Sequence, residues 1–291
     1  MRSDGYENAA ALLPGDIRAA ALALPAALRG RAEEFRLRCG RPPALLLPEG
    51  ERALIPRGVT ERDLGALLET ATRSSVHTAL GQLRAGFVTV RGGVRVGLAG
   101  VVSGDGGAIA LRRVSSAAVR IPRAALGCAD GIIGPLTRPD FENTLILAPP
   151  GGGKTTMLRE IVRLLGGTRR VSLVDERGEA AGVFESAPEF DVGPMTDVMT
   201  GIDKRRGAEL MLRAMNPEII AFDEITCPDD AEACRLALGC GVRILATAHA
   251  AGTEDLRARG VYRELTAAGA FRRAVVISRA GGERRAELRE I

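Results

Sequence analysis

The chain has 291 residues, 46% of them hydrophobic, and a formal net charge of +4; this length suits two domains of roughly 120–170 residues, each able to bury its own core. No apolar run approaches the ~18 residues needed to cross a bilayer, and the N-terminus carries no secretory signal pattern, so the cytoplasm is the expected compartment. A pI near 9.0 permits contact with nucleic acid or an anionic membrane without requiring either. Aromatics at 3% with no Trp leave few platforms for stacking bases, which argues against nucleic acid as the partner. Five cysteines without a C-x-x-C pair, accompanied by two histidines, read as free thiols and exclude a zinc site, with Cys234 expected as a small buried hydrophobe.

In chain order, residues 19–28 form an Ala/Leu-rich helical pattern, 34–38 alternate with period two, and 44–47 are a second strand candidate. A helix is expected over 62–73, followed by strand-like pieces at 86–90, 93–97 and 98–102 whose glycines suggest hairpins or a meander. Pro and Gly punctuate 121–139, which marks a boundary between a domain of residues 1–125 and one of 126–291. From there strands alternate with helices: strand 144–147, helix 155–165, strand 171–174, helix 207–215, strand 218–222, helix 229–238, and strands 242–247 and 274–278. That alternation predicts an α/β class with a largely parallel sheet in the second domain, behind a smaller N-terminal α/β domain.

The second domain opens on a phosphate-gripping loop, Ala148-Pro-Pro-Gly-Gly-Gly-Lys154-Thr155-Thr156. Of 40 basic residues only Lys154 and Lys204 are lysines, so a lysine here is informative. An ammonium on a flexible stem reaches between phosphates as a point charge, where a planar guanidinium is too broad. Ala148 replaces the first glycine of the usual pattern, but Gly151, Gly152 and Gly153 supply the backbone that can approach an anion. A buried strand enters the loop and an amphipathic helix leaves it, which aims the helix N-terminus at the phosphates. Pro150, Gly151, Gly152, Gly153, Lys154, Thr155 and Thr156 are therefore the candidate nucleotide-binding residues, with ATP as the ligand.

Hydrolysis also needs Mg²⁺ and a polarised water. Some 70 residues on, an apolar run ends in Asp223-Glu224, where Thr155 and Asp223 are expected to hold Mg²⁺ and Glu224 to orient or deprotonate the water. The next strand brings Thr247 and His249 to the same carboxyl edge, where ligands of open parallel sheets gather, and His249 is placed to sense the γ-phosphate. Lys154, Glu224 and His249 are the catalytic candidates. A third charged cluster, Val174-Asp-Glu-Arg-Gly-Glu179, ends the strand after the loop helix, with Glu176 and Glu179 open between assisting the site and forming a solvated loop.

With these residues in order, the chain resembles the stage III sporulation protein AA family, itself related to the type II and type IV secretion ATPases. The likeness runs nearly end to end through Glu34-Phe-Arg-Leu-Arg38, Gly86-Phe-Val-Thr-Val-Arg-Gly-Gly-Val-Arg-Val-Gly-Leu-Ala-Gly100, the Pro-Pro loop, Val174-Asp-Glu-Arg-Gly-Glu179 and Ala246-Thr-Ala-His249. It implies a RecA-like P-loop NTPase core, a homo-oligomeric, hexameric ring with ATP at subunit boundaries, and work with membrane proteins of the mother cell–forespore channel complex. It further implies a mother-cell cytoplasmic location with peripheral membrane association through those partners. A ring needs a cation supplied in trans, for which Arg91, Arg95, Lys204, Arg205 and Arg206 are candidates. Thr226 stands where the secretion ATPases carry an arginine, so their arginine roles do not transfer directly.

Two other functions fit the loop. A nucleic-acid-directed P-loop ATPase would show hydrolysis stimulated by single strands with a steep salt dependence. A scaffold that binds nucleotide without turnover would keep its cellular role after Glu224→Gln.

Overall fold

The computed structural model describes residues 5–72, 86–103, 110–122, 126–184, 186–258, 260–280 and 283–291. The chain divides into two compact units, residues 1–123 with 182–189, and residues 124–181 with 190–291.

The first unit begins with helices α1 (Gly5–Ala11), α2 (Gly15–Leu22) and α3 (Ala26–Arg29). The single helical pattern expected over 19–28 is broken, because Pro25 has no N–H to donate and its ring blocks the preceding turn. Strands β1 (Glu34–Arg38), β2 (Ala44–Leu47) and β3 (Gly50–Ala53) follow, then α4 (Glu61–Thr72), β4 (Phe87–Val90), β5 (Val94–Ser103) and β6 (Ala110–Arg120). The last residue of the helix expected over 62–73, and residues 123–125 of the expected boundary, lie outside the described residues. The sheet is antiparallel throughout, in the order β3-β2-β1-β6-β5-β4.

Period two sorts its faces. One cross-strand row, Leu45–Phe35–Val119–Val96–Val88, is buried from end to end, and Tyr6 packs on Phe35 at 5.3 Å between ring centroids. The adjacent row, Glu34–Arg120–Arg95–Thr89, points to the opposite face. The two pieces expected at 93–97 and 98–102 are one strand. Gly100 serves close approach rather than a turn: at the irregularity beside it, a Cβ would lie 1.8 Å from the Arg113 carbonyl oxygen.

The second unit starts with α5 (Asp130–Thr137), which occupies part of the segment read as a boundary, then β7 (Thr144–Ala148), α6 (Lys154–Leu165) and β8 (Val171–Asp175). The hairpin β9 (Val183–Phe184) and β10 (Ala187–Pro188) belongs to the first unit, where Glu189 accepts from the Gly92 N–H at 3.1 Å. The chain returns with β11 (Thr196–Thr200), α7 (Lys204–Ala214), β12 (Ile219–Phe222), α8 (Pro228–Gly239) and β13 (Arg243–His249). It ends with α9 (Thr253–Ala258), α10 (Gly260–Ala267), β14 (Arg273–Ala280) and β15 (Glu283–Glu290).

The sheet order is β11-β8-β12-β13-β7-β14-β15, parallel except for the antiparallel edge strand β15. Strands β7, β8 and β12 are buried at every position, as a sheet covered on both faces requires. The strands β7, β8, β12 and β13 therefore bring their carboxyl ends to one edge. All five cysteines are free thiols and Cys234 is fully buried, its thiol pushed up to about 12 chiefly by burial. Among the described residues no helix is long and apolar enough to cross a membrane.

Candidate nucleotide-binding site

The loop between β7 and α6 is shaped by backbone that only glycine adopts without strain. Gly151 has φ 70° and Gly153 φ 96°. Gly152 admits no side chain, since its Cβ would lie 2.6 Å from the Ala148 methyl. The turn delivers Lys154 as the first residue of α6, at the positive end of a helix dipole. Pro150 is exposed on the loop, and Thr156 is half-buried one step beyond Thr155.

Lys154 is only 7% exposed. Its Nζ donates to the Pro149 carbonyl at 3.4 Å and meets His249 Nδ1 at 2.9 Å. An ammonium can only donate, so Nδ1 accepts and the imidazole proton resides on Nε2, which lies 2.6 Å from Glu224 Oε1. Burial lowers the Lys154 pKa, opposed by the charges of Glu224 and Asp223. Thr155 donates to Asp223 Oδ2 at 2.9 Å and Thr247 to Asp223 Oδ1 at 2.9 Å. The Glu224 N–H donates in turn to the Thr247 hydroxyl at 2.8 Å.

The structure thus joins Lys154, Thr155, Asp223, Glu224, Thr247 and His249 in one hydrogen-bonded network drawn from two strand ends and one helix start. Burial holds the Asp223 carboxyl above its ordinary pKa, against the two hydroxyl donors that favour its charged form. Glu224 sits at φ 56°, a left-handed conformation rare for a residue with a Cβ. Such local strain persists where the surroundings over-determine it, and here the Thr247 bond and the His249 contact do so.

The cluster whose role stayed open at the sequence level divides sharply. Asp175 is 1% exposed and accepts three backbone N–H bonds, from Glu179, Ala180 and Ala181 at 3.0, 3.0 and 2.8 Å. Arg159, on the loop helix, donates to the carbonyls of Glu179 and Ala180 and stacks 3.6 Å above the Phe190 ring. Burial brings its pKa down to about 10. Glu176 instead pairs with Lys204 at 2.7 Å, which also lies 3.4 Å from Asp230. Arg177 reaches Glu224 Oε2 at 3.4 Å from the solvent side.

Among the proposed trans cations, Lys204 is 6% exposed and enclosed by these two carboxylates of its own chain, which does not present it to a neighbour. Thr226 is exposed and bonds Asp230 of its own chain through its N–H at 2.7 Å and its hydroxyl at 3.0 Å. Sequence reasoning missed Arg159 and a second arginine, Arg284 on β15, which donates to the Gly151 carbonyl at 3.2 Å. Neither lies within a motif that singles it out.

A glycine-rich turn between a buried parallel strand and a helix N-terminus, faced by an Asp-Glu pair two strands away, defines a P-loop α/β protein of RecA-like fold with an N-terminal domain. Solved structures share that fold at 18% identity: the ATPase DotB of Legionella pneumophila (TM-score 0.57, covering 90% of this chain and 76% of that one) and the pilus retraction motor PilT with bound ADP (TM-score 0.59, 89% and 79%). The sequence matches the family described as Sporulation stage III, protein AA over residues 6–288. It is 35% identical over 280 residues to stage III sporulation protein AA of Bacillus subtilis (strain 168), spanning 94% of this chain and 91% of that protein. The chain belongs to the stage III sporulation protein AA family.

Proposed function

We propose that this chain is a Mg²⁺-dependent ATPase that energises assembly of, or transport through, the channel complex between mother cell and forespore. The observation that carries this reading is the convergence of Lys154, Thr155, Asp223, Glu224 and His249 on one side of a glycine-rich loop. The sporulation role is supported by family membership.

The loop N–H groups and the α6 dipole bind the phosphates, and Lys154 places its charge between the β- and γ-phosphates. The residues present suit Mg²⁺, a hard cation that takes one or two protein oxygens and completes its shell with phosphate and water. Thr155 Oγ1 and Asp223 Oδ2, 2.9 Å apart, are all-oxygen donors of that kind. When bound, the ion neutralises charge developing on the transferred phosphoryl group. A cleft of about 190 Å³ beside Asp223 and Glu224 has space for several waters at roughly 30 Å³ each. Glu224 accepts the proton of the attacking water as its oxygen bonds to the γ-phosphorus and the bond to the β-phosphate oxygen breaks. A γ-phosphate drawing Lys154 away from His249 leaves His249 Nδ1 without that partner. Through Nε2 this couples nucleotide arrival to the Glu224 carboxylate.

A homo-oligomeric, hexameric ring docked on membrane proteins of the channel complex, in the mother-cell cytoplasm, completes the proposal. Purified protein should hydrolyse Mg²⁺-ATP. Lys154→Ala should lower the rate by at least about 100-fold, near 3 kcal/mol of barrier, while the unliganded melting temperature is kept. Turnover by Lys154→Ala at the wild-type rate would overturn the reading, and Glu224→Gln with intact cellular function would replace it with a nucleotide-binding scaffold.

A further inference from the structure

The carbonyl of Gly151 is met by a side chain from the far end of the chain. Arg284, the second residue of edge strand β15, donates a guanidinium N–H to that oxygen at 3.2 Å. The same side chain lies flat on the next left-handed glycine: its Cζ, Nε and Cδ sit 3.4, 3.4 and 3.5 Å from where a Cβ on Gly153 would stand. Both glycines whose positive φ shapes the loop, Gly151 and Gly153, are therefore touched by one arginine.

The consequence follows from peptide geometry. The peptide plane that carries the Gly151 carbonyl also carries the Gly152 N–H, which donates to the Pro149 carbonyl at 3.0 Å and closes the turn ahead of Lys154. Glycine at positive φ reaches that arrangement readily and leaves it as readily, because no side chain holds it there. A donor fixed on the Gly151 carbonyl selects one orientation of the plane. Arginine suits this role, because its planar fork keeps donor geometry rigid while its face packs on backbone without a side chain to obstruct it. β15 is placed for this by pairing with β14, which pairs in turn with β7, the strand that enters the loop.

We propose that Arg284 is a positioning residue of the nucleotide site, which holds the Gly151 carbonyl and, through the same peptide plane, keeps the Gly152 N–H on the Pro149 carbonyl, so that the turn leading into Lys154 is set before nucleotide arrives. This rests on reading the loop as a nucleotide site. Its effect belongs mainly to binding, since a loop ordered in advance does not pay its ordering entropy when the ligand enters.

The test uses the full chain with Arg284→Ala and Arg284→Lys. Amide hydrogen exchange of residues 151–153 in the absence of nucleotide should quicken in Arg284→Ala and return part of the way in Arg284→Lys, which keeps the charge but loses the fork. ATP affinity measured by titration should weaken roughly tenfold in Arg284→Ala, the scale of one charge-assisted hydrogen bond. KM should rise by more than kcat falls. Unchanged loop exchange with unchanged ATP affinity overturns the proposal, as does full rescue by Arg284→Lys, which would leave charge alone as the cause. If wild-type protein fails to bind ATP, the ATPase reading falls, and loop exchange still decides whether Arg284 orders the loop. If Arg284→Ala melts earlier than wild type, exchange in Arg284→Lys decides.

Discussion

Asp175 and Asp223 end neighbouring parallel strands, one step past the register pair Val174 and Phe222; Asp175 is buried and Asp223 half-buried, and burial raises the pKa of both. They differ in who solvates them. Asp175 is surrounded by three backbone N–H groups from the six residues that follow it, whereas Asp223 accepts two side-chain hydroxyls, Thr155 and Thr247. A backbone donor is fixed by the chain, and exchanging it means refolding a loop. A hydroxyl rotates, so it can surrender its bond to an arriving ion at little cost. On the proposed function, two carboxylates in equivalent places on one sheet edge do opposite work: Asp175 holds a loop shut and Asp223 receives the ion.

The sharpest way to break this comparison is to remove each carboxylate in turn. Asp223→Ala should reduce Mg²⁺-ATP hydrolysis by a factor on the order of 100–1000, worth about 3–4 kcal/mol of barrier, with the melting temperature kept or raised because a buried charge is gone. Asp175→Ala leaves three N–H groups without their acceptor and should lower unfolding free energy by about 3 kcal/mol, since each orphaned donor costs on the order of 1 kcal/mol or more. Denaturant unfolding and a coupled phosphate-release assay on both variants measure the two effects. Equal losses of stability, or a stable and inactive Asp175→Ala, would erase the distinction.

Lys204 extends the contrast to cations. It shares with Lys154 the rarity of lysine in this chain and the first position of a helix, but its charge is enclosed by Glu176 and Asp230. Burial pulls its pKa down, and the hydrogen bond to Glu176 with the charge of Asp230 outweighs that and leaves it raised. Lys204→Met removes the cation beside Asp230 Oδ1 while the Thr226 and Cys227 N–H groups keep their bonds to Oδ2, and should cost roughly 2–3 kcal/mol of stability, toward the low end for a broken buried pair because Glu176 is partly solvated. A monomer in denaturant reads this directly. Full stability with lost turnover only in the assembled state would return Lys204 to a role in trans.

These assignments show where the sequence was legible. The buried parallel strands were visible because a strand covered on both faces must be apolar throughout, as in Ile219-Ile-Ala-Phe222. The edge strand β15 reads Glu-Arg-Arg-Ala-Glu-Leu-Arg-Glu, and β6 reads Ala-Leu-Arg-Arg-Val-Ser-Ser-Ala-Ala-Val-Arg. Neither has a long apolar run, because an edge or one-sided strand needs only half its residues buried. Of the site, Lys154, Thr155, Asp223 and Glu224 lie in local patterns that chemistry constrains at fixed spacing. Asp175 was singled out only as part of a charged string, since its acceptor role depends on how the next six residues curl. Arg284 meets the loop across 133 positions, and no local pattern encodes that meeting.

The smallest expected effect is the part of the pH slope that Asp175 contributes. Burial raises its carboxyl from an ordinary 3.8 to about 6, against the pull of the Ala181 and Ala180 N–H groups. The folded protein therefore binds this proton more tightly than the unfolded chain does. Its contribution to stability is fully present below about pH 3.8 and is lost as pH rises through about 6. At ~1.4 kcal/mol per unit the full span would approach 3 kcal/mol, and local relaxation around the loop should reduce it to roughly 1–2 kcal/mol. Asp175→Asn cannot titrate, so the difference in unfolding free energy between wild type and this variant should shift against wild type from pH 4 to pH 6 and stay level from pH 7 to pH 8. A difference that moves the other way would mean the three N–H bonds dominate burial and hold Asp175 below its ordinary value. Asp175 would then be a carboxylate whose charge the loop favours, and Asp223, whose pKa burial raises, would be the one of the pair whose charge is costly to keep.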